Sequence, residues 1–285
     1  MEEFTQQAAG QSLKAALLRQ LNLKNQAAGN LIRQGQVKVN GRRTRENIAL
    51  SPGDHVAVYL PARLAPALPP PLFAGRRVLA LEKPPGLAVC DAPGLTVTAL
   101  LQRGGYPQAR PVHRLDVYTG GVLLFALDGE AEQALGGLIR AHSLQKQYEC
   151  IVRGRPEPPS ARRSAYLVKD AEASRVRVLA SPCPGAREIV TGYQLVASDG
   201  ALSRLKVDLF TGRTHQIRAH LAYLGYPLLG DDLYGDRALN RRSGFSHPLL
   251  WAVSLAFPAE VPPVLSEVAG LRLVSPARFP AKCPL

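Results

Sequence analysis

The stretch Pro111-Val112-His113-Arg114-Leu115-Asp116-Val117-Tyr118-Thr119-Gly120-Gly121-Val122-Leu123-Leu124-Phe125-Ala126 decides how this chain is read. The apolar run from Val122 to Leu127 is about one buried strand long, and Gly120-Gly121 punctuates its start. Asp116 therefore falls in the loop just before a core strand. Such a position rests on rigid structure yet faces a cavity or solvent, as functional side chains do. The plainer reading is a turn carboxylate that satisfies local backbone N–H groups. This stretch alone does not separate the two, so the rest of the chain must.

The chain has 285 residues, too many for one small core, which suggests a medium domain plus a module. Its net charge of +13 and isoelectric point near 10.0 point to an anionic partner, nucleic acid first. A membrane surface is the alternative, but no apolar stretch of about 18 residues stands in the sequence. Met1-Glu2-Glu3 lacks the basic start and apolar core of a signal peptide. Cys90, Cys150, Cys183 and Cys283 are far apart and form no Cys-x-x-Cys pair. The expectation is a protein of the reducing cytoplasm with no zinc site and no disulfide framework.

Residues 1–10 read as a loose tail. Leu13, Leu17 and Leu21 with Ala16 make one helical stripe, and Ala28, Leu31 and Ile32 make another that Gly35 ends. Val37-Lys38-Val39 runs into Asn40-Gly41, a hairpin turn, and Ile48 to Leu60 continues a small sheet. Between Gln11 and Arg45 stand eight basic residues, Lys14, Arg19, Lys24, Arg33, Lys38, Arg42, Arg43 and Arg45, and no Asp or Glu. A charge run is usually a solvated face, but a run of one sign over a folded pattern has no internal offset. The prolines of 61–75 read as a semi-rigid linker between an 11–60 module and a 76–285 domain.

The larger domain opens as strand, Lys83-Pro84, turn and strand, the second strand covering Leu87 to Val89. Beyond the Asp116 loop, Asp128 suits a helix N-cap, with Ala131, Leu135, Leu138 and Ile139 as the apolar stripe. Tyr148, Cys150 and Val152 share one face of a strand. Leu205, Val207 and Leu209 alternate with Arg204, Lys206 and Asp208, as in a half-buried strand. Thr211-Gly212-Arg213 turns the chain, Thr214 is the expected N-cap, and His215 to Leu224 reads as a helix ended by Gly225. A helix N-terminus beside Arg213 suits a phosphate. His215 and His220 lie about 140° apart on that helix, so they do not face one metal. Asp231-Asp232, between glycines, reads as a turn.

Three of these stretches resemble the RluA-type pseudouridine synthases: His113-Arg114-Leu115-Asp116 with Thr119 and the strand after it, Lys146-x-Tyr148, and Leu209 to Leu221 with Gly230-Asp231-Asp232-Leu233-Tyr234-Gly235. Gly120 stands where that family commonly has Ser, and Trp251 where a His is common. The 11–60 segment resembles the small RNA-binding module of ribosomal small-subunit protein four. The resemblance implies an α+β fold with a mixed, largely antiparallel sheet flanked by helices, plus the small αβ module. It implies an enzyme that isomerises uridines of ribosomal or transfer RNA to pseudouridine, with no cofactor and no metal; a monomer is the default expectation. Asp116 would attack the sugar's anomeric carbon or remove a proton from the neighbouring carbon; either route passes through a sugar of positive character. Arg218 would pair with Asp116, and Tyr148 would stack on the uracil and help remove its carbon-5 proton. Leu209 would wall the pocket, and Arg114 would fill the space of a flipped nucleotide. His113, Arg213, His215 and Gln216 would contact the substrate, and the eight basic residues would bind RNA. Two rivals remain at this point. An RNA-binding protein with an inactive synthase-like domain would share these features without turnover. A nucleoside hydrolase would need a second acid or a metal cluster.

Overall fold

The computed structural model describes all residues except 1, 8, 22, 24, 60–67, 93–94, 171–174, 282 and 284. The chain folds as two units: residues 1–68 with 86–107, and residues 69–85 with 108–285. Each is described by itself.

In the first unit, strands β1 (Glu2–Thr5), β3 (Val37–Val39), β4 (Arg42–Thr44) and β6 (His55–Val58) form a sheet in the order β1-β6-β3-β4. β2 (Gln11–Ser12) and β5 (Ala49–Leu50) make a separate pair. The leucine stripes are buried as their spacing predicts. Helices α1 (Leu13–Leu21) and α2 (Asn25–Arg33) pack Leu13, Ala16, Leu17, Ala28 and Leu31 with Val37, Val56 and Val58. Asn40 and Gly41 have φ of 49° and 76°, positive at both central turn positions as a two-residue hairpin requires. Residues 2–5 correct the expected loose tail: β1 pairs antiparallel with β6 along its whole length and covers an otherwise open edge.

Residues 86–107 also correct the expected domain boundary. No strand forms at Leu87 to Val89; Ala88 makes only an isolated bridge to Thr96. Helix α3 (Val97–Arg103), N-capped by Thr96, follows, and the Leu95 N–H donates to the Gln20 carbonyl at 3.1 Å. This segment therefore satisfies its backbone within the first unit. Of the expected linker, 61–67 lies outside the described residues. The part after it is not linker, because β7 (Pro71–Ala74) is a strand of the second unit's sheet. Its proline is tolerated because β7 is an edge strand.

The second unit is built on an 11-stranded sheet. Its strands are β7, β8 (Val78–Lys83), β9 (Arg110–Pro111), β10 (Gly120–Ala126), β11 (Gln145–Arg153), β12 (Ser160–Asp170), β13 (Arg175–Leu179), β14 (Arg187–Ser198), β15 (Leu202–Leu209), β16 (Leu250–Ala256) and β17 (Arg272–Val274). The order is β13-β12-β14-β15-β11-β16-β10-β8-β7, with β17 beside β16 and β9 beside β10. Among the described residues every pairing in it is antiparallel except β10 with β16, so the sheet is mixed and largely antiparallel as expected. All seven residues of β10 are buried, which is why its sequence is a continuous apolar run rather than an alternation. Helix α4 (Gly129–Arg140), N-capped by Asp128, lays Ala131 and Leu135 on Val78, Ala80, Val122 and Leu124. Helix α5 (Gln216–Tyr223) lays Ala219 against Ala165, Leu167, Val176 and Ile189, and α6 (Arg237–Ser243) precedes β16.

β16 meets β10 only at Gly120↔Trp251 and Gly121↔Ala252, while its other edge pairs Ala252 with Tyr148 of β11. The start of β10 and the Tyr148 position are thus two strands apart. Gly121 makes this closeness possible: at φ 109°, a Cβ there would lie 2.1 Å from the Ala252 carbonyl oxygen.

Candidate active site

Three elements converge on one guanidinium. Asp116 comes from the loop before β10, where the Thr119 N–H donates to the Asp116 carbonyl at 3.0 Å and fixes the turn. Arg218 comes from the first turn of α5, and Asp231 from the loop before α6. Arg218 Nη1 donates to Asp116 Oδ2 at 3.0 Å, while its Nε and Nη2 donate to Asp231 Oδ2 and Oδ1 at 2.7 and 3.0 Å. Asp231 is bidentate and fully buried; the Asp116 side chain keeps 27% of its exposure. Burial works against the Arg218 charge, but the bonds and charges of Asp231 and Asp116 outweigh it and raise its pKa.

Tyr148 is 7% exposed. Burial first and the Asp116 charge second push its phenol up, well above neutrality. It stays protonated, so it can take a carbon-5 proton only by passing its own proton on. Val207 pairs with Tyr148 across β15, and Leu209 follows two residues along on the same face.

His215 sits beside the pair, with its Nε2 3.9 Å from Asp116 Oδ1 and its Nδ1 2.9 Å from the Tyr234 hydroxyl. Tyr234 Oη also accepts from the Val176 N–H at 3.0 Å, which ties the His215 ring to β13. Burial chiefly lowers the His215 pKa, Arg218 adds to this, and Asp116 opposes it. His215 is also the residue before α5, at φ 54°. The expected cap, Thr214, is exposed, and the turn is closed instead by Gln216. Gln216 Oε1 accepts from Thr211 Oγ1 and the Arg213 N–H, and its Nε2 donates to the Val190 carbonyl and Thr191 Oγ1. With those bonds made and 2% exposure, Gln216 holds the turn and has no atom free for a substrate. His113 is half-buried, and its Nε2 accepts the Leu124 N–H at 3.1 Å on the free edge of β10. Burial lowers its pKa to about 4, so the ring is neutral. Arg114 and Arg213 are exposed.

Sequence reading missed two partners. Asp231 does build the expected turn, accepting the Leu233 and Tyr234 N–H groups, but the same carboxylate is also the second anchor of Arg218. Lys83 is fully buried and donates from Nζ to the carbonyls of Val117, at 2.9 Å, and Pro84. Burial pulls its pKa down to about 7 against the pull of Asp116. A usable signal existed, because strand alternation puts Lys83 on the face of Leu79 and Leu81, where a lysine demands partners. Of the eight basic residues, Lys24 lies outside the described residues, and Arg19, Arg33, Arg42, Arg43 and Arg45 are exposed on the first unit. Lys14 is half-buried, and Lys38 lies 5.3 Å over the Tyr59 ring. Among the described residues no group of three or more His, Cys, Asp or Glu is placed to hold a metal. No helix of those residues is long and apolar enough to cross a membrane.

Comparison with known proteins gives this geometry a context. Residues 77–223 match the family model for RNA pseudouridylate synthase. An uncharacterized RNA pseudouridine synthase of Chloroflexus aurantiacus is 36% identical over 227 residues, 73% of this chain and 69% of that protein. Ribosomal large subunit pseudouridine synthase C of Escherichia coli (strain K12) is 31% identical over 279 residues, 89% of this chain and 87% of that protein. Human RNA Pseudouridylate Synthase Domain Containing 1 shares the fold, with a TM-score of 0.60 and 23% identity over 72% of this chain and 82% of that one.

Asp231→Asn leaves a buried guanidinium short of its main counter-charge and is expected to cost about 3 kcal/mol in urea unfolding. Asp116→Asn, more exposed and leaving Arg218 on Asp231, should cost less than about 1 kcal/mol. Equal losses would contradict the assigned hierarchy. Lys83 predicts a pH dependence of known sign. The unfolded lysine holds its proton to about pH 10.4, whereas the folded one releases it near 7, so stability rises with pH between those values. Wild type should therefore become more stable relative to Lys83→Met from about pH 7 to 10; a flat difference would contradict the burial of that charge.

Proposed function

Because the chain belongs to the RNA pseudouridylate synthase family, we propose that it isomerises its target uridines with Asp116 as the catalytic carboxylate, Arg218 as its counter-ion and Tyr148 as the ring beneath the base. The reaction breaks the bond between uracil nitrogen and ribose, turns the base, and joins its carbon 5 to the sugar. A carboxylate serves the cleavage by attacking the anomeric carbon or by taking a proton from its neighbour, and it stabilises the positive sugar on either route. The single observation that carries the reading is the 3.0 Å Arg218–Asp116 bond, made by a guanidinium that Asp231 already holds in place. A carboxylate in a site that excludes water is costly as an anion, and a fixed adjacent cation offsets that cost.

Tyr148 offers a flat apolar face two strands from the Asp116 loop, and its raised pKa keeps the hydroxyl a donor. His215 completes the anion's surroundings, with its Nε2 3.9 Å from Asp116 Oδ1. A uridine in a helix reaches none of these groups, so the nucleotide must be flipped out, at a cost of a few kcal/mol. To Arg114, exposed two residues before Asp116, we assign the vacated stack, and to the exposed Arg213 a phosphate. The first unit we read as an RNA-binding module like that of ribosomal small-subunit protein four. Its helix pair, its hairpin and the exposed Arg33, Arg42, Arg43 and Arg45 support this. The substrate class we propose is large-subunit ribosomal RNA, on the similarity to the Escherichia coli enzyme over 89% of this chain.

Two measurements test the reading. Incubated with ribosomal RNA and mapped by chemical labelling, wild type should form pseudouridine at defined sites, and Asp116→Asn should form none while its RNA affinity stays within about threefold. Equal modification by both removes Asp116 from the chemistry; RNA binding by wild type with no product favours an inactive domain. Replacing Arg42, Arg43 and Arg45 by Ala should weaken binding and reduce the slope of log affinity against log salt by about 2 to 3. An unchanged slope contradicts the module assignment.

A further inference from the structure

We infer that Trp251 is a positioning residue for Asp116, acting through steric contact with Gly120. This rests on the reading of Asp116 as the catalytic carboxylate. Gly120 opens β10 four residues after Asp116 and faces Trp251 directly in the parallel register. A Cβ built at Gly120 would lie 2.4 Å from indole Cζ3 and 2.7 Å from Cε3 and Cη2. No side chain fits there while the indole stays. The indole is the side-chain volume of position 120, supplied from the neighbouring strand.

The indole is not free to yield. Trp251 is 4% exposed, and its Nε1 donates to Ser275 Oγ at 3.0 Å. Ser275, itself fully buried, donates to Glu82 Oε2 at 3.0 Å, and Arg278 Nε lies 2.8 Å from the other Glu82 oxygen. Glu82 precedes Lys83, whose Nζ grips the Val117 carbonyl. The Asp116 loop is therefore held at two points, Val117 by Lys83 and Gly120 by Trp251, and both holds trace to adjacent residues of β8. Ala252, next to Trp251, pairs with Tyr148, so a shift of β16 also reaches the ring proposed to carry the base.

The test uses the full chain and three variants, Gly120→Ser, Trp251→His and the double variant, with RNA affinity and single-turnover pseudouridine formation measured separately. Gly120→Ser should slow the single-turnover rate at least about tenfold, since small displacements of a reacting group cost that much, with affinity within about threefold. The double variant should recover most of the rate, because histidine vacates the space that serine takes. If Gly120→Ser does not fold, Trp251→His serves as the reference: adding Gly120→Ser to it should raise its rate. Gly120→Ser at the wild-type rate overturns the inference, as does a double variant no faster than Trp251→His alone. Asp116→Asn, run alongside, separates the two levels. If it is inactive while Gly120→Ser is unimpaired, only this inference fails; if it is active, the reading of Asp116 itself fails.

Discussion

The arrangement depends on one guanidinium shared unequally between two carboxylates. Asp231 binds Arg218 through two parallel bonds and is wholly inside the protein. Asp116 binds it through one and remains partly open. The asymmetry assigns the work. Asp231 fixes the cation in the fold, so its position does not depend on Asp116, and Asp116 meets a charge already in place. A long flexible arginine on its own would lose rotamer freedom to form that bond; the buried anchor makes the loss part of folding rather than of substrate binding.

The sheet turns this pair into a site. β10 presents the Asp116 loop, β11 presents Tyr148, and β16 runs between them with small Ala252 where the strands come closest. Several groups around the site have their hydrogen-bonding atoms committed. His113 binds the edge of β10, Gln216 closes the turn into α5, Lys83 holds the loop backbone and Tyr234 orients His215. Such a shell keeps the carboxylate and the ring in register, and preorganisation of this kind is what reaction at a single positioned carboxylate requires.

Much of this could be read from residues in order. The apolar run after Gly120-Gly121 forms the most buried strand, Asn40-Gly41 makes its hairpin, and the leucine stripes of α1 and α2 face their core. What could not be read has physical causes. Residues 2–5 have no apolar stripe, and their strand exists only because β6 has an edge to pair with. Pro71 to Ala74 looks like linker because proline density dominates the composition, yet an edge strand needs hydrogen bonds on one side only. Asp231 was legible as a turn and not as an anchor, since its partner lies in a helix whose placement the sequence does not give. His113 and Gln216 belong to the motifs expected to meet the substrate, and their bonds to Leu124, Val190 and Thr191 tie them to the scaffold as well, which no spacing in the sequence reveals.

The most direct test of the central claim is the position of the target nucleotide. In a crystal structure of Asp116→Asn bound to its RNA, the account predicts the uridine swung out of its helix, its base on Tyr148, and its anomeric carbon about 3 to 3.5 Å from the side chain at 116. The side chain at 116 should still face Arg218. A uridine left stacked in the RNA, or bound away from Arg218 and Asp231, would contradict it.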